Sequence, residues 1–231
     1  MAREAPEFED LWVIVPVFNE APVLAAVIAE LTAVFPYICV VDDCSTDGSA
    51  QIAAGFANCG VRLVAHPVNL GQGAALQTGF DYTLGDPLMQ RVVTFDADGQ
   101  HSVDDAVRLA RRLGAGCDVV LGSRFRGAPP VSMSWAKRLV LRLAVAYTNF
   151  SVRLKLTDTH NGLRAMNRRA VEAMNLTQEG MAHATEILER IRRAGLRYTE
   201  EPVEIRYSEY SKAKGQSLLN SINILVDLLV K

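Results

Sequence analysis

Short, uninterrupted apolar runs that alternate with helical patterns constrain this chain more than any other feature. LWVIVPV (11–17), YICVV (37–41), VRLVAH (61–66), RVVTF (91–95) and CDVVLG (117–122) read as strands, and most are apolar throughout rather than at every second residue. Strands of that kind are buried on both faces, as in a parallel sheet covered by helices. Helical patterns separate them: PVLAAVIAELTAVF (22–35), a helix through 49–58, GAALQTGFDYTL (73–84) and about 103–114. The pattern predicts an α/β protein with a mostly parallel, twisted sheet flanked by helices. Right-handed crossovers bring the loops after the strands to one edge, where α/β sheets bind ligands. Asp42, Asp43, Asp96, Asp98 and Arg124 all fall there.

Beyond residue 125 the pattern changes. Residues 131–150, 167–177 and 182–194 read as helices, LRYTEEPVEIRY (196–207) as an extended piece, and SLLNSINILVDLLVK (217–231) as a closing helix. No linker separates a second unit, so 1–231 is expected to form one domain. Its first half, 11–125, would hold the ligand and 126–231 the second substrate.

Bulk properties remove several classes. At 231 residues the chain can bury a large core. A formal charge of −2 gives no general attraction to nucleic acid. The four cysteines lack CxxC spacing and suit reduced thiols. The histidines show neither HExxH nor zinc-finger spacing, and there is no GxSxG elbow. NLGQG (69–73) matches neither Walker A nor GxGxxG, and its glycines suit a tight turn. The amino terminus is acidic and has no apolar signal region, and no run is long enough to span a bilayer, so a cytoplasmic location is expected.

The acidic clusters carry the chemistry. In DADGQH (96–101) two carboxylates stand two residues apart at the mouth of a strand and repel unless a cation or basic group lies between them. Asp98, with Asp96 or Gln100, suits Mg²⁺ or Mn²⁺ holding a diphosphate. In VDDCSTDGSA, Asp47 or Ser45 can cap the helix near 49, which leaves Asp42 and Asp43 to accept hydrogen bonds from a base or ribose. From Gly122 to Arg169 ten basic residues face a single acid, Asp158. That bias fits phosphate recognition and attraction to anionic headgroups. Within it, WAKRLVLRLAVAYTNF suits either a helix in the headgroup region or a core helix with a charged rim.

IVPVFNE (14–20), VVDDCSTDGS (40–49), NLGQGAALQTGF (69–80), TFDADGQH (94–101), VVLGSRF (119–125) and DTHNGLRAM (158–166) occur in this order. Together they resemble the family 2 glycosyltransferases of the GT-A type, and within them the branch of dolichol- and other polyprenyl-phosphate sugar synthases. The resemblance covers roughly 11–166. It implies that Pro16, Asn19 and Glu20 lie beside a nucleotide and that Asp43, with Asp42, holds its base or ribose. Asp96, Asp98 and Gln100 would surround the metal and diphosphate, with Arg124 near the diphosphate or an acceptor phosphate. Asp158 and Arg164 match the sugar and acceptor region, and Arg206, Ser211 and Lys212 a segment that closes over the phosphates. The catalytic set expected from this is Asp98, Arg124, Asp158, Arg206 and Lys212.

The implied reaction is inverting, metal-dependent transfer of a hexose from a UDP- or GDP-linked donor to a polyprenyl phosphate. It would take place at the inner face of the cytoplasmic membrane, with 217–231 available to a second copy or a membrane-protein partner. A hydroxyl acceptor, in polysaccharide or glycolipid synthesis, would instead need a base, for which Asp158 and Glu186 are candidates. A third alternative is a non-catalytic scaffold in a membrane complex. Ser102, His160 and Asn161 depart from the family's usual residues, which bears on the sugar and acceptor more than on the fold.

Overall fold

In a computed structural model, residues 7–114, 116–126, 145–146, 148–178, 180 and 182–206 are described. Most of the expected helix 131–150, with Ser211, Lys212 and the whole of 217–231, lies outside them. The apolar runs become β1 (Leu11–Val17), β2 (Tyr37–Asp42), β3 (Val61–Ala65), β4 (Arg91–Thr94) and β5 (Val119–Ser123). Between them lie α1 (Ala21–Thr32), α2 (Ser49–Ala54), α3 (Gln72–Leu84) and α4 (Val103–Leu113). The helix expected over 49–58 stops at Ala54, and a 3₁₀ turn, Ala57–Cys59, replaces its end. Gly55 and Gly60 bracket that turn, and Gly60 has φ +84°, which an α-helix cannot accommodate.

The second half departs from expectation at one decisive place. Residues 164–167 form a strand, β6 (Arg164–Asn167), where the tail of one motif and the start of a helix were expected. It is followed by α5 (Arg168–Ala173), capped by the Asn167 side chain, which accepts from Ala170 N. α6 (His183–Arg193) and β7 (Tyr198–Pro202) complete the described elements. The seven strands run in the order β3-β2-β1-β4-β6-β5-β7. Only β6 is antiparallel, between β4 and β5; every other pairing is parallel. A four-residue strand flanked by polar groups has too little periodicity to register in sequence.

Alternation along the strands divides the core. Val13, Val15, Val93, Val120 and Ala165 point to one face, beneath α1, α2 and α4. Ile14, Val92, Leu121 and Met166 point to the other, beneath α3, α5 and α6. α3 lies close on β1 because residue 79 is glycine: a Cβ there would meet Ile14 Cγ2 at 2.4 Å. With both faces covered, the sheet leaves its C-terminal edge as the place where loops converge. Because β6 runs backwards, it adds its first residue, Arg164, to that edge.

Candidate active site

Two loops meet after β1 and β2. Asn19, at φ +55°, donates its amide to Ser45 Oγ (2.9 Å), and its own Oδ1 accepts from Thr46 N (2.9 Å). Glu20 N donates to Ser49 Oγ (3.0 Å) and Ala21 N to Asp47 Oδ2 (2.9 Å). The STDGS segment is therefore a clamp on the start of α1. Asn19 belongs to this clamp and does not line the cleft beside it. That cleft has a volume of about 510 Å³ and is bounded by Pro16, Phe18, Glu20, Asp43, Gly71, Gln72, Asp96 and Asp98, among others.

Asp43 is at the wall, but its carboxylate is engaged. It accepts from Leu70 N (2.8 Å) and Gly71 N (2.7 Å), and His66 Nδ1 lies 2.8 Å from Oδ1. Asp43 thus shapes the 66–71 turn as well as facing the cleft. Asp42 accepts from Ser45 N, and its Oδ1 is buried without a partner among the described residues.

Asp96 and Asp98 stand at the cleft as expected. Asp96 is fixed from two sides, by Gln72 Nε2 (3.1 Å) and His101 Nε2 (3.0 Å). Burial raises its pKa, but the His101 hydrogen bond and charge, with the field of Arg164, outweigh this and hold it below the usual range. Asp98 is pushed up to about 6, first by burial and then by the charge of Asp96. Such an upward shift marks a carboxylate pair short of positive charge, and hard oxygen donors of this type fit Mg²⁺ or Mn²⁺. Among the described residues no group of three or more His, Cys, Asp or Glu is placed to hold a metal. Gln100, expected at the metal, does not line the cleft. Its amide donates to Asp98 Oδ1 (2.9 Å) and its carbonyl accepts from Arg206 N (2.9 Å).

Arg124 and Asp158 come together as one unit. Arg124 donates Nε (2.6 Å) and Nη2 (2.8 Å) to the two oxygens of Asp158, and its backbone N adds a third bond (3.1 Å). His160 N supplies a fourth, and Asp158 is 3% exposed. Burial alone would raise the Asp158 pKa, but the Arg124 charge and these hydrogen bonds lower it. Asp158, expected among the catalytic groups and as a candidate base, is thus engaged by Arg124 through both oxygens. Glu186, the other candidate base, is engaged in a similar way. Its carboxylate accepts from Thr177 N, Thr177 Oγ1, Gln178 N and Arg190 Nη2, and its pKa is lowered although burial opposes this.

Arg206, expected in the segment that closes over the phosphates, reaches Ser102 Oγ (3.3 Å) and Glu30 (3.7 Å) beside the 100–102 loop. The described basic residues of 122–169 do not form one patch. β6 places Arg164 at the cleft edge and Arg168 at the opposite end, where it binds the carbonyls of Leu84, Asp86 and Met89. Arg169 pairs with Asp118 there.

Gln72, His101 and Gly162 escaped the sequence reading. The motif around Gln72 draws attention to its glycines, and His101 lacks any zinc-site spacing. Their shared partner, Asp96, appears only once α3, the 96–101 loop and β6 meet.

Comparison with known proteins agrees with this geometry. The family model described as Glycosyl transferase family 2 matches residues 12–174. A polyprenol monophosphomannose synthase from Mycolicibacterium smegmatis is 28% identical over 211 residues, covering 87% of this chain and 79% of that protein. A UDP-N-acetylglucosamine–dolichyl-phosphate N-acetylglucosaminyltransferase from Methanococcus voltae is 27% identical, covering 95% of each. Among solved structures, glucosyl-3-phosphoglycerate synthase from Mycobacterium tuberculosis, in complex with Mn²⁺, UDP and glucosyl-3-phosphoglycerate, superposes with a TM-score of 0.65 at 19% identity. That match covers 94% of this chain and 79% of the other. The architecture is the GT-A fold, and the protein belongs to glycosyl transferase family 2 and is a glycosyltransferase.

Proposed function

We propose that the protein transfers a hexose from a UDP- or GDP-linked donor to a polyprenyl phosphate, with inversion, using Mg²⁺ or Mn²⁺. The observation that carries the acceptor class is the state of the two candidate bases. Asp158 and Glu186 each accept four hydrogen bonds and have lowered pKa values. A carboxylate so engaged is a poor general base. A phosphate oxygen is already ionised near neutral pH and needs positioning rather than deprotonation. The names of the relatives point the same way.

Asp98 and Asp96 would hold the cation, which when bound neutralises charge on the leaving diphosphate. Asp43 and the 66–71 turn would bound the nucleoside, with Pro16 and Glu20 at the cleft rim. Arg124, held rigid by Asp158, would present its charge to a phosphate without first having to be ordered. The acceptor oxygen attacks the anomeric carbon as the bond from that carbon to the diphosphate oxygen breaks, releasing nucleoside diphosphate. In this reading 11–125 serves the donor and 126–231 the acceptor at a membrane surface on the cytoplasmic side. No described helix is long and apolar enough to cross a membrane.

The test is purified protein with Mn²⁺ or Mg²⁺ and a panel of labelled sugar nucleotides, with and without a short polyprenyl phosphate. Metal-dependent label in the lipid extract is the expected result and names the sugar. Donor hydrolysis without labelled lipid would move the acceptor to a hydroxyl. No donor binding at all would remove the donor assignment.

A further inference from the structure

Arg164 is the one arginine that enters the site from an antiparallel strand. Its register partners are Thr94 in β4 and Leu121 in β5. The first strand leads to Asp96 and the second to Arg124, so Arg164 stands between the two charged clusters. It is 3% exposed. Among the described residues its guanidinium has no hydrogen-bond or ion-pair partner; it acts across space on Asp96 and Asp158. A buried guanidinium keeps its proton and persists only where opposite charge compensates it. Asp158 already has Arg124 in bidentate contact. Asp96 has two hydrogen bonds from side chains and no permanently charged contact, so the counter-charge Arg164 supplies falls chiefly to it.

A cation approaching the same edge therefore meets a positive charge already installed behind Asp96. It also finds Asp96 engaged by Gln72 and His101, and no group of three or more His, Cys, Asp or Glu placed to hold it among the described residues. A diphosphate adds negative charge and oxygen ligands together, and reverses the balance.

We infer that Arg164 is a positioning residue whose buried charge stands in for part of a cation at Asp96, so that a divalent metal binds tightly only together with a nucleoside diphosphate. This rests on the metal-and-diphosphate reading above. Because binding linkage is reciprocal, the metal raises nucleotide affinity by the same factor that the nucleotide raises metal affinity.

The probe is Mn²⁺, followed by the electron paramagnetic resonance signal of the free ion, with and without UDP or GDP. In the wild-type protein Mn²⁺ should bind at least about ten-fold more tightly when the accepted nucleotide is present. Arg164→Met should tighten binding of Mn²⁺ alone by about ten-fold and shrink the nucleotide's enhancement. Arg164→Lys, which keeps the charge, should behave as wild type. Equal Mn²⁺ affinity with and without nucleotide in the wild type would overturn the inference. So would a folded Arg164→Met protein, checked by circular dichroism, with unchanged Mn²⁺ binding. Arg164→Gln is a second neutral replacement if the methionine variant does not fold, and the wild-type comparison needs neither. No binding of Mn²⁺ or nucleotide under any condition would instead sink the metal-and-diphosphate reading, and this inference with it.

Discussion

The carboxylate of Asp96 lies directly against the α-carbon of Gly162: a Cβ built at residue 162 would sit 1.9 Å from Asp96 Oδ2 and 2.5 Å from its Cγ. The contact is held on both sides. Thr94 Oγ1 donates to the Gly162 carbonyl (2.6 Å), and Gln72 and His101 hold the carboxylate oxygens.

Gly162→Ala is expected to move Asp96 rather than unfold the chain. Overpacking of this kind costs about 1–3 kcal/mol, and here part of the strain is relieved by turning the carboxylate toward the cleft. Nucleotide affinity in the presence of Mn²⁺ should fall by about ten-fold or more, with only a modest drop in the apo melting temperature. Calorimetric titration with UDP and GDP, beside a thermal melt, checks both. Unchanged affinity would mean that Asp96 has no part in ligand binding.

How far this site was legible in sequence follows from the same contact. Asp96, Asp98 and Asp43 could be found because each ends an apolar run, and strand ends gather at one edge of a parallel sheet. Gly162 could not, because it touches Asp96 only through a reversed strand too short to show a period of two. Asp158 poses a different problem. A buried acid in a functional loop and an acid that anchors an arginine look identical until Arg124 is seen across 34 residues of chain. Glu186 poses the same problem, since its contacts with Thr177 and Gln178 lie outside its own helix.

Glu186→Gln separates anchor from base. With its amide oxygen in the Oε2 position the glutamine keeps Thr177 N and Gln178 N, but its NH₂ group then faces the donors Thr177 Oγ1 and Arg190 Nη2, so stability should drop by about 1–3 kcal/mol. Sugar transfer per folded molecule should fall by less than about ten-fold, whereas removal of a true general base costs roughly 10²–10⁴. Denaturant midpoints together with single-turnover rates decide the matter. A large rate loss at unchanged stability would restore the base.

Asp43→Asn probes whether the cleft wall is built by its carboxylate. One amide oxygen cannot accept from Leu70 N and Gly71 N while the NH₂ group faces one of those donors. The turn should loosen at a cost of about 1–3 kcal/mol in the ligand-free protein. Hydrogen exchange of the 66–71 amides, measured without nucleotide, should rise in the variant. If those amides stay protected and only nucleotide affinity falls, Asp43 contacts ligand alone and does not hold the turn.

Acid sensitivity should set in well above the carboxylate range. Burial, reinforced by Arg124, Arg164 and His183 and opposed by Asp158, lowers the His160 pKa from 6.5 to about 4. Burial and Arg164 lower that of His183 as well. At these two imidazoles the unfolded chain therefore binds protons between about pH 6.5 and 4 that the folded chain refuses, so stability falls as pH falls, while Asp98, raised to about 6, takes up a proton in the folded chain and offsets part of the loss. His160 contributes up to about 3 kcal/mol to that loss, less any part relieved by solvent. Below about pH 4 a second loss begins, because the folded-state pKa values of Asp158 and Glu186 lie under their unfolded values. Urea midpoints at pH 7.5, 5 and 4, taken in chelator so that no metal contributes, should decline over the whole series. In His160→Gln the slope between pH 6.5 and 4 should be shallower, with the remainder assigned to His183. A His160→Gln slope identical to that of the wild type would show that this imidazole is not held neutral by the fold.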